Sequence, residues 1–153
     1  MGELHSEITR DLRAFIDRQH LFFVATAPSG PAGHVNLSPK GLDALRMLGP
    51  REVAYRDAVG SGEVIEPQDA AFTLLQPAFG DELPGTRAII RVRIHRIADT
   101  CGFGVPLMEF RAQRPQLSAW AGRKGPHALR DYQRQNNAAS IDGLPALRWT
   151  EGE

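Results

Sequence analysis

The stretch RAIIRVRIHRI at residues 87–97 decides the fold class, because its side chains follow the period of two that marks a β-strand. One side of such a strand is wholly apolar and consists of Ala88, Ile90, Val92 and Ile94. The other side sets Ile89 among basic residues, which are Arg87, Arg91, Arg93 and His95. The alternation predicts a strand over the whole stretch.

Shorter stretches before this one predict further strands. Two of them are EVAYRDAV at 52–59 and EVI at 63–65, and LFFVATA at 21–27 has the aromatic and β-branched residues of a buried strand. Beyond the turn PSGPAG at 28–33, residues 34–38 alternate polar and apolar side chains, which predicts the second strand of a hairpin. Its polar wall is expected to point away from the core and consists of His34, Asn36 and Ser38.

Helical patterns lie around these strands. They predict an N-terminal amphipathic helix at 3–19, a helical or irregular piece at 42–50, a short helix at 68–79 and a C-terminal helical region at 116–138, broken or kinked at Gly125-Pro126. This order lacks the regular βαβ alternation of a doubly wound sheet. We therefore expect a mainly β, antiparallel fold with peripheral helices, a single domain over 1–153 with barrel strands across about 21–97.

Composition excludes several classes of protein. The chain has 153 residues, 18 basic and 18 acidic, so it has no net charge to attract nucleic acid or an anionic membrane. The single cysteine, Cys101, excludes a disulfide framework and a Cys-only zinc site, and the five histidines show no metal-ligand spacing. Residues 21–27 are the longest apolar stretch, too short to cross a bilayer, and the polar N-terminus is not a signal peptide. These features predict a soluble cytoplasmic domain without a metal site.

The segment GHVNLSPKG at 33–41 holds the first candidate binding residues. Asn36, Ser38 and Lys40 place an amide, a hydroxyl and an ammonium along one edge of a strand and its following turn. Such groups can hold an anionic ligand, for example a nucleotide phosphate or the edge of an isoalloxazine ring. On the pattern alone, a solvent-facing strand with a Ser-Pro turn is the favoured interpretation.

Two other features allow an anion site but have simpler interpretations. The glycines of Gly60-Ser61-Gly62 permit close approach of a phosphate to the backbone, although the spacing fits a plain hairpin turn better. The arginines of the stretch at 87–97 fit an exposed charged strand face better than an anion site or a nucleic-acid contact. We find no nucleophilic triad or carboxylate pair, so no catalytic residue is predicted and any chemistry would need a cofactor.

Four stretches together resemble one known family. LFFVATA with GHVNLSPKGLD (21–43), REVAYRDAVGSG (51–62), RAIIRVRIHRIADTCGFGVPLMEF (87–110) and NNAASIDGLPAL (136–147) resemble, in this order, the pyridoxamine 5′-phosphate oxidase-like family. The resemblance implies an FMN-binding split β-barrel of six antiparallel strands, a homodimer with the flavin at the subunit interface, and FMN or in some members a deazaflavin. It places Asn36, Ser38 and Lys40 beside the flavin, Lys40 facing the phosphate charge, and makes Gly60, Ser61 and Gly62 further donors.

The chain departs from this family after Gly62. In the family the glycines continue into Asn-Glu-Thr, a helix and two further strands, whereas here they run directly into EVIEPQDAAF at 63–72. The resemblance thus implies that an internal segment is missing and that the barrel is incomplete. Its open edges would carry unpaired backbone groups unless a partner subunit covers them or a smaller barrel closes.

These observations support one function and leave an alternative. The first is an FMN-dependent oxidoreductase acting on an undefined small substrate, in which the flavin carries the electrons. The alternative is a degenerate, non-enzymatic dimer that binds flavin weakly or holds another small ligand. Nucleic-acid binding is disfavoured by the neutral net charge.

Overall fold

The computed structural model describes residues 3–27, 33–57, 63–80, 84–99, 103–140, 143–146 and 148. The strands are β1 (Leu4–His5), β2 (Phe22–Thr26), β3 (Asn36–Lys40), β4 (Leu45–Gly49), β5 (Glu52–Asp57), β6 (Glu63–Ile65), β7 (Ala88–Arg93) and β8 (Ile97–Ala98). The helices are α1 (Arg10–Asp17), α2 (Ala70–Leu75), a 3₁₀ helix (Gln76–Phe79) and α3 (Gln116–Asn137).

A four-stranded antiparallel sheet forms the centre of the molecule, in the order β4-β5-β7-β6. The strand predicted at 87–97 is confirmed as β7, although β7 ends at Arg93 and Ile97–Ala98 form a separate strand that pairs with β1. The strands predicted at 52–59 and 63–65 are confirmed as β5 and β6.

The period of two in β7 divides the core between the two faces of this sheet. Ile89 packs with Phe79 in the helix-side core, which consists of Ala54, Ile65, Phe79 and Ile89 and is covered by α2 and the 3₁₀ helix. Ile90 packs in the hairpin-side core, which consists of Tyr55, Ala88 and Ile90 and is covered by Phe22 and Val24 of β2. The sheet is therefore buried on both faces.

The stretch at 42–50, predicted as helical or irregular, contains a strand instead. Leu45 of β4 contacts the hairpin-side core and Leu48 contacts the helix-side core, so both faces of β4 are partly buried. A strand buried on both faces lacks the polar and apolar alternation that identifies a strand in sequence. The prediction was wrong for this reason.

The N-terminal helix is shorter than the predicted span of 3–19. It begins after Thr9, whose side-chain oxygen accepts a hydrogen bond of 3.3 Å from the Leu12 amide and so caps the first turn. Ile8 lies before the helix but is buried, so its position extended the apparent helical pattern. Leu4–His5 pair with β8, where Asp99 accepts hydrogen bonds from the Glu3 amide (2.7 Å) and pairs with the His5 ring (3.1 Å).

The C-terminal helical region agrees with the prediction at 116–138. Within α3, Gly125 has φ of 73° and ψ of 165°, values that break the helix just before Pro126. The predicted helix at 68–79 is also confirmed, as α2 followed by the 3₁₀ helix. Of the helices in the described ranges, none is long and apolar enough to cross a membrane.

The described strands do not close into a barrel. They form three antiparallel sheets, the central one and the pairs β2-β3 and β1-β8. The mainly β, antiparallel and incomplete fold predicted from the sequence is confirmed in this part of the chain.

Asp69 fixes the segment before α2 through two hydrogen bonds that lower the pKa of its carboxyl. The Glu66 amide donates one at 2.9 Å and has the larger effect, and the Arg148 guanidinium donates the other at 2.6 Å. Because the folded-state pKa is the lower one, these contacts stabilise the fold above the ordinary pKa of aspartate. Their contribution is lost as the pH falls through the folded-state value.

We expect an NMR carboxyl titration to find the pKa of Asp69 below its ordinary value. In the variant Arg148→Ala, the pKa of Asp69 should rise only part of the way back, because the hydrogen bond from the Glu66 amide remains. An Asp69 pKa that the substitution leaves unchanged would contradict the contact between Asp69 and Arg148.

Candidate functional site

The β2-β3 hairpin faces the opposite way from the prediction. Its register sets Lys40 opposite Phe22 and Ser38 opposite Val24, and residues directly opposite in an antiparallel pair share one face. Phe22 and Val24 contact the hairpin-side core, so Ser38 and Lys40 lie on the face turned toward the sheet and are half-buried. Asn36 belongs to the same face, opposite Thr26, and is exposed.

The outer face of the hairpin is the apolar one. Phe23 is 59% exposed and Leu37 is 62% exposed, and they lie there with Pro39. Alternation shows which residues share a face but not which face the core covers. Since β2 is apolar on both faces, the sequence pattern could not decide the orientation. Ser38, Pro39 and Lys40 also belong to β3 itself, not to a turn after it.

A tight turn follows Lys40 and fixes the end of β3. The Leu42 amide donates a 3.1 Å hydrogen bond to Oε1 of Gln113. A Cβ at Gly41 would lie 3.2 Å from the same Oε1 atom and 3.6 Å from the His20 carbonyl oxygen, so this close approach favours glycine. Phe110 stacks on the His20 ring with centroids 3.8 Å apart. These contacts hold the segment before α3 against the base of the hairpin.

Lys40 lines a cavity of about 540 Å³ between the hairpin, the start of β7 and α3. We call it the Lys40 cavity. Arg87 lines it as well and is only 5% exposed. Arg56 of β5 is the third basic residue of the lining, so β3, β5 and the residue just before β7 each contribute a cation to one concave surface.

Trp120 and Tyr132 form an aromatic wall of the Lys40 cavity. Their rings meet edge to face with centroids 4.9 Å apart, and the Lys124 ammonium lies 5.3 Å and 5.2 Å from the two ring centroids. In a straight helix, residues this far apart in sequence would be separated by about 18 Å along the axis. The break at Gly125 therefore brings the two halves of α3 together and builds this wall.

The predicted site residues are only partly brought together. Lys40 lines the cavity, whereas Asn36 and Ser38 lie farther along the same hairpin face and do not line it. Gly60, Ser61 and Gly62 lie outside the described residues.

The arginines of the stretch at 87–97 do not behave alike. Arg91 fits the charged-strand interpretation, because its Nε donates 2.9 Å to Glu63 on β6 and it approaches Glu52 on β5 at 3.6 Å. Arg87 does not, since it precedes β7 and is buried against the cavity. The sequence analysis assigned Arg87 to a charged strand face in preference to an anion site, and it missed the aromatic wall.

Glu3, His5 and Asp99 form another group of polar side chains, with potential ligand atoms within 4.8 Å of one another. The histidines were predicted to be scattered, and the pairing of β1 with β8 brings His5 to Asp99. The hydrogen bond from the Glu3 amide, followed by the contact with His5, lowers the pKa of Asp99. These bonds join the two strands and account for the arrangement.

Comparison with known proteins identifies the family. No family model matches the chain, and no solved structure matches it. Over 96% of its length the chain is 31% identical to the pyridoxamine 5′-phosphate oxidase family protein ustO of Aspergillus flavus, of which 78% is covered. The match extends over 198 residues, more than the 153 of this chain, so the relative has residues inside the matched region without a counterpart here. This agrees with the missing internal segment and with the resemblance found in the sequence: the chain belongs to the pyridoxamine 5′-phosphate oxidase family.

Proposed function

We propose that the chain is an FMN-dependent oxidoreductase that holds the flavin in the Lys40 cavity and acts on a small molecule. The observation that carries this proposal is the presence of Lys40, buried Arg87 and the aromatic pair Trp120 and Tyr132 in one cavity. Family membership supports it, and so does the absence of any self-sufficient catalytic constellation in the sequence.

The chemistry of the cavity fits the cofactor. FMN has a dianionic phosphate, which needs cationic donors, and a flat ring system, which needs an apolar or aromatic wall. Lys40 and Arg87 supply the cations, and Trp120 and Tyr132 supply the wall. A volume of about 540 Å³ lies within the usual range for small-molecule sites.

Each part of the chain then has a distinct task. The flavin supplies the electron transfer when bound, and a deazaflavin would occupy a cavity of the same chemistry. Lys40 and Arg87 bind the phosphate. We assign Asn36 and Ser38, which lie on the same hairpin face but outside the cavity lining, to polar groups of the cofactor that extend beyond the cavity. We assign Gly60, Ser61 and Gly62 as further donors in the same proposal.

Homodimer formation completes this proposal and would bring a partner subunit against the outer face of the hairpin, whose inner face lines the Lys40 cavity. The outer face of the hairpin exposes Phe23 and Leu37, and the segment before α3 exposes Phe103, Leu107 and Met108 almost fully. Apolar surface of this extent is characteristic of an interaction site. In a dimer, the apolar outer face of the hairpin in one copy would be buried against the apolar segment before α3 in the other copy.

The alternative is a degenerate dimer that has lost firm flavin binding. The observation that favours it is the open arrangement of the described strands together with the missing internal segment. Residues of that segment would have added contacts to a cofactor at this site.

Titration of the purified protein with FMN tests the proposal. We expect flavin absorbance to remain with the protein after gel filtration and the melting temperature to rise with FMN concentration, since a ligand that binds only the folded state stabilises it. Light scattering on the same samples should give the mass of a dimer. Protein that stays colourless and gains no stability in excess FMN would support the degenerate alternative, and a monomer mass would contradict the proposed dimer.

A further inference from the structure

A second cavity adjoins the Lys40 cavity, and the two share seven lining residues, among them Arg56, Gly85 and Gln133. It has a volume of about 760 Å³ and lies between the helix-side core and the second half of α3. The Nε2 atom of Gln133 donates a 3.2 Å hydrogen bond to the Gly85 carbonyl oxygen, and both residues line both cavities. The contact lies where the two chambers of one continuous cleft meet.

The polar lining of this second chamber is basic. Three arginines line it, Arg56 from β5 and Arg130 and Arg134 from α3. Among the described residues that line it there is no aspartate or glutamate. Arg130 and Arg134 are four positions apart, so they project from one face of the helix. We call this chamber the arginine cavity.

Arg56 links the basic lining to an aromatic surface. Its Nη2 atom donates 3.3 Å to the Phe79 carbonyl oxygen, and its guanidinium carbon lies 5.2 Å from the centroid of the Phe79 ring. Burial lowers the pKa of Arg56, and the positive charge of Arg46 lowers it further. A cation in such surroundings is stabilised by an added negative charge.

The rest of the lining is apolar and leaves space. Phe72, Phe79 and Ile89 supply the wall on the side of the helix-side core. On the side of α3, a Cβ added at Gly122 would meet no atom of the described residues within 4 Å. An apolar body of the size of one aromatic ring therefore has both a contact surface and room.

We propose that the arginine cavity binds an organic anion, an aromatic or apolar body that carries a carboxylate or phosphate group. The anionic group lies among the arginines, where guanidinium groups bind carboxylate and phosphate oxygens in a bidentate geometry. The body lies against Phe72 and Phe79. If the Lys40 cavity holds flavin, as proposed above, this class of compound is the substrate. The binding itself requires no flavin.

The test is calorimetric titration of the full chain, with and without FMN, using benzoate, phenyl phosphate and uncharged benzyl alcohol as probes. We expect one or both anions to bind, the benzyl alcohol to bind at least tenfold more weakly, and the double variant Arg130→Ala/Arg134→Ala to lose at least tenfold in anion affinity. Comparing the affinities for benzoate and phenyl phosphate shows whether the cavity prefers a carboxylate or a phosphate group. Arg123→Ala, on α3 but outside the lining of either cavity, is the matched control and should bind as the parent does.

A second variant removes the space without removing charge. Gly122 lines the cavity from α3, so the side chain of Gly122→Leu would occupy part of its space and should weaken binding of both anions, while the helix gains a better helix former than glycine. Anion affinities equal in the parent and both variants would overturn the proposal. Anion binding without FMN binding would leave the arginine cavity standing and refute the flavin function. FMN binding with no arginine-dependent anion binding would support the flavin function and refute the anion site in the arginine cavity.

Discussion

Replacing Ile89 by alanine is expected to lower the free energy of unfolding by about 2 to 5 kcal/mol, the usual cost of such a truncation in a closed core. Ile89 is 0% exposed and lies in the middle of β7, between β5 and β6. Its side chain packs against Phe79, Ile65 and Ala54 in the helix-side core. Backbone pairing on both sides holds β7 in place, so neighbouring groups cannot move far to fill the space.

This loss would remove a large share of the stability of the chain. The free energy of unfolding of a domain of this size is about 5 to 15 kcal/mol. The variant is therefore expected to be only marginally stable at moderate temperature. Urea unfolding followed by circular dichroism measures the change. A loss in the upper part of the range would show that α2 and the 3₁₀ helix enclose this core firmly.

Leu74→Ala is the matched control, since it removes a similar apolar volume from α2 at a position that is 79% exposed. We expect a change of no more than about 0.5 kcal/mol, as for other exposed positions. If the two variants lost equal stability, the packing of the helix-side core against β7 would be wrong.

The same strand shows what a sequence pattern can predict. The residues 87–97 alternate clearly enough that the strand and its two faces follow from the spacing alone. β4 could not be found in this way, because Leu45 and Leu48 are apolar toward both cores. The hairpin was located correctly but oriented wrongly, since its orientation depends on contacts with the distant strands β5 and β7.

The residues of the candidate site divide in the same way, into those that a sequence pattern indicates and those that only tertiary packing brings together. Lys40 was selected as a candidate from the short motif HVNLSPKG, whose residue types allow an anion site; the pattern alone favoured a solvent-facing strand, and the resemblance to the family decided the choice. Trp120 and Tyr132 were missed and Arg87 was assigned to a charged strand face, because all three meet Lys40 only through tertiary packing and the break at Gly125. The sequence held one local signal for Trp120: Leu117, Trp120 and Ala121 have the spacing of residues that share one face of a helix.

Lys40→Ala is expected to weaken FMN binding by about 10- to 100-fold, the cost of removing one charge-assisted hydrogen bond to a phosphate. Lys40 ends β3 and is half-buried at the cavity, and the strand and the tight turn after it fix the position of its backbone. Fluorescence quenching of bound flavin gives the dissociation constants. Thermal unfolding of the variant without flavin shows whether the fold itself has been retained.

Two comparisons separate the phosphate contact from a general disturbance of the site. Riboflavin lacks the phosphate, so its affinity should be nearly the same in the parent and in Lys40→Ala. The conservative variant Lys40→Arg retains the charge and should keep most of the FMN affinity, although its planar group cannot reproduce the geometry of an ammonium. If Lys40→Ala weakened riboflavin and FMN equally, Lys40 would contact the ring system or shape the cavity. The phosphate would then have to be assigned to the buried Arg87 or to Arg56, which are the other basic residues that line this cavity.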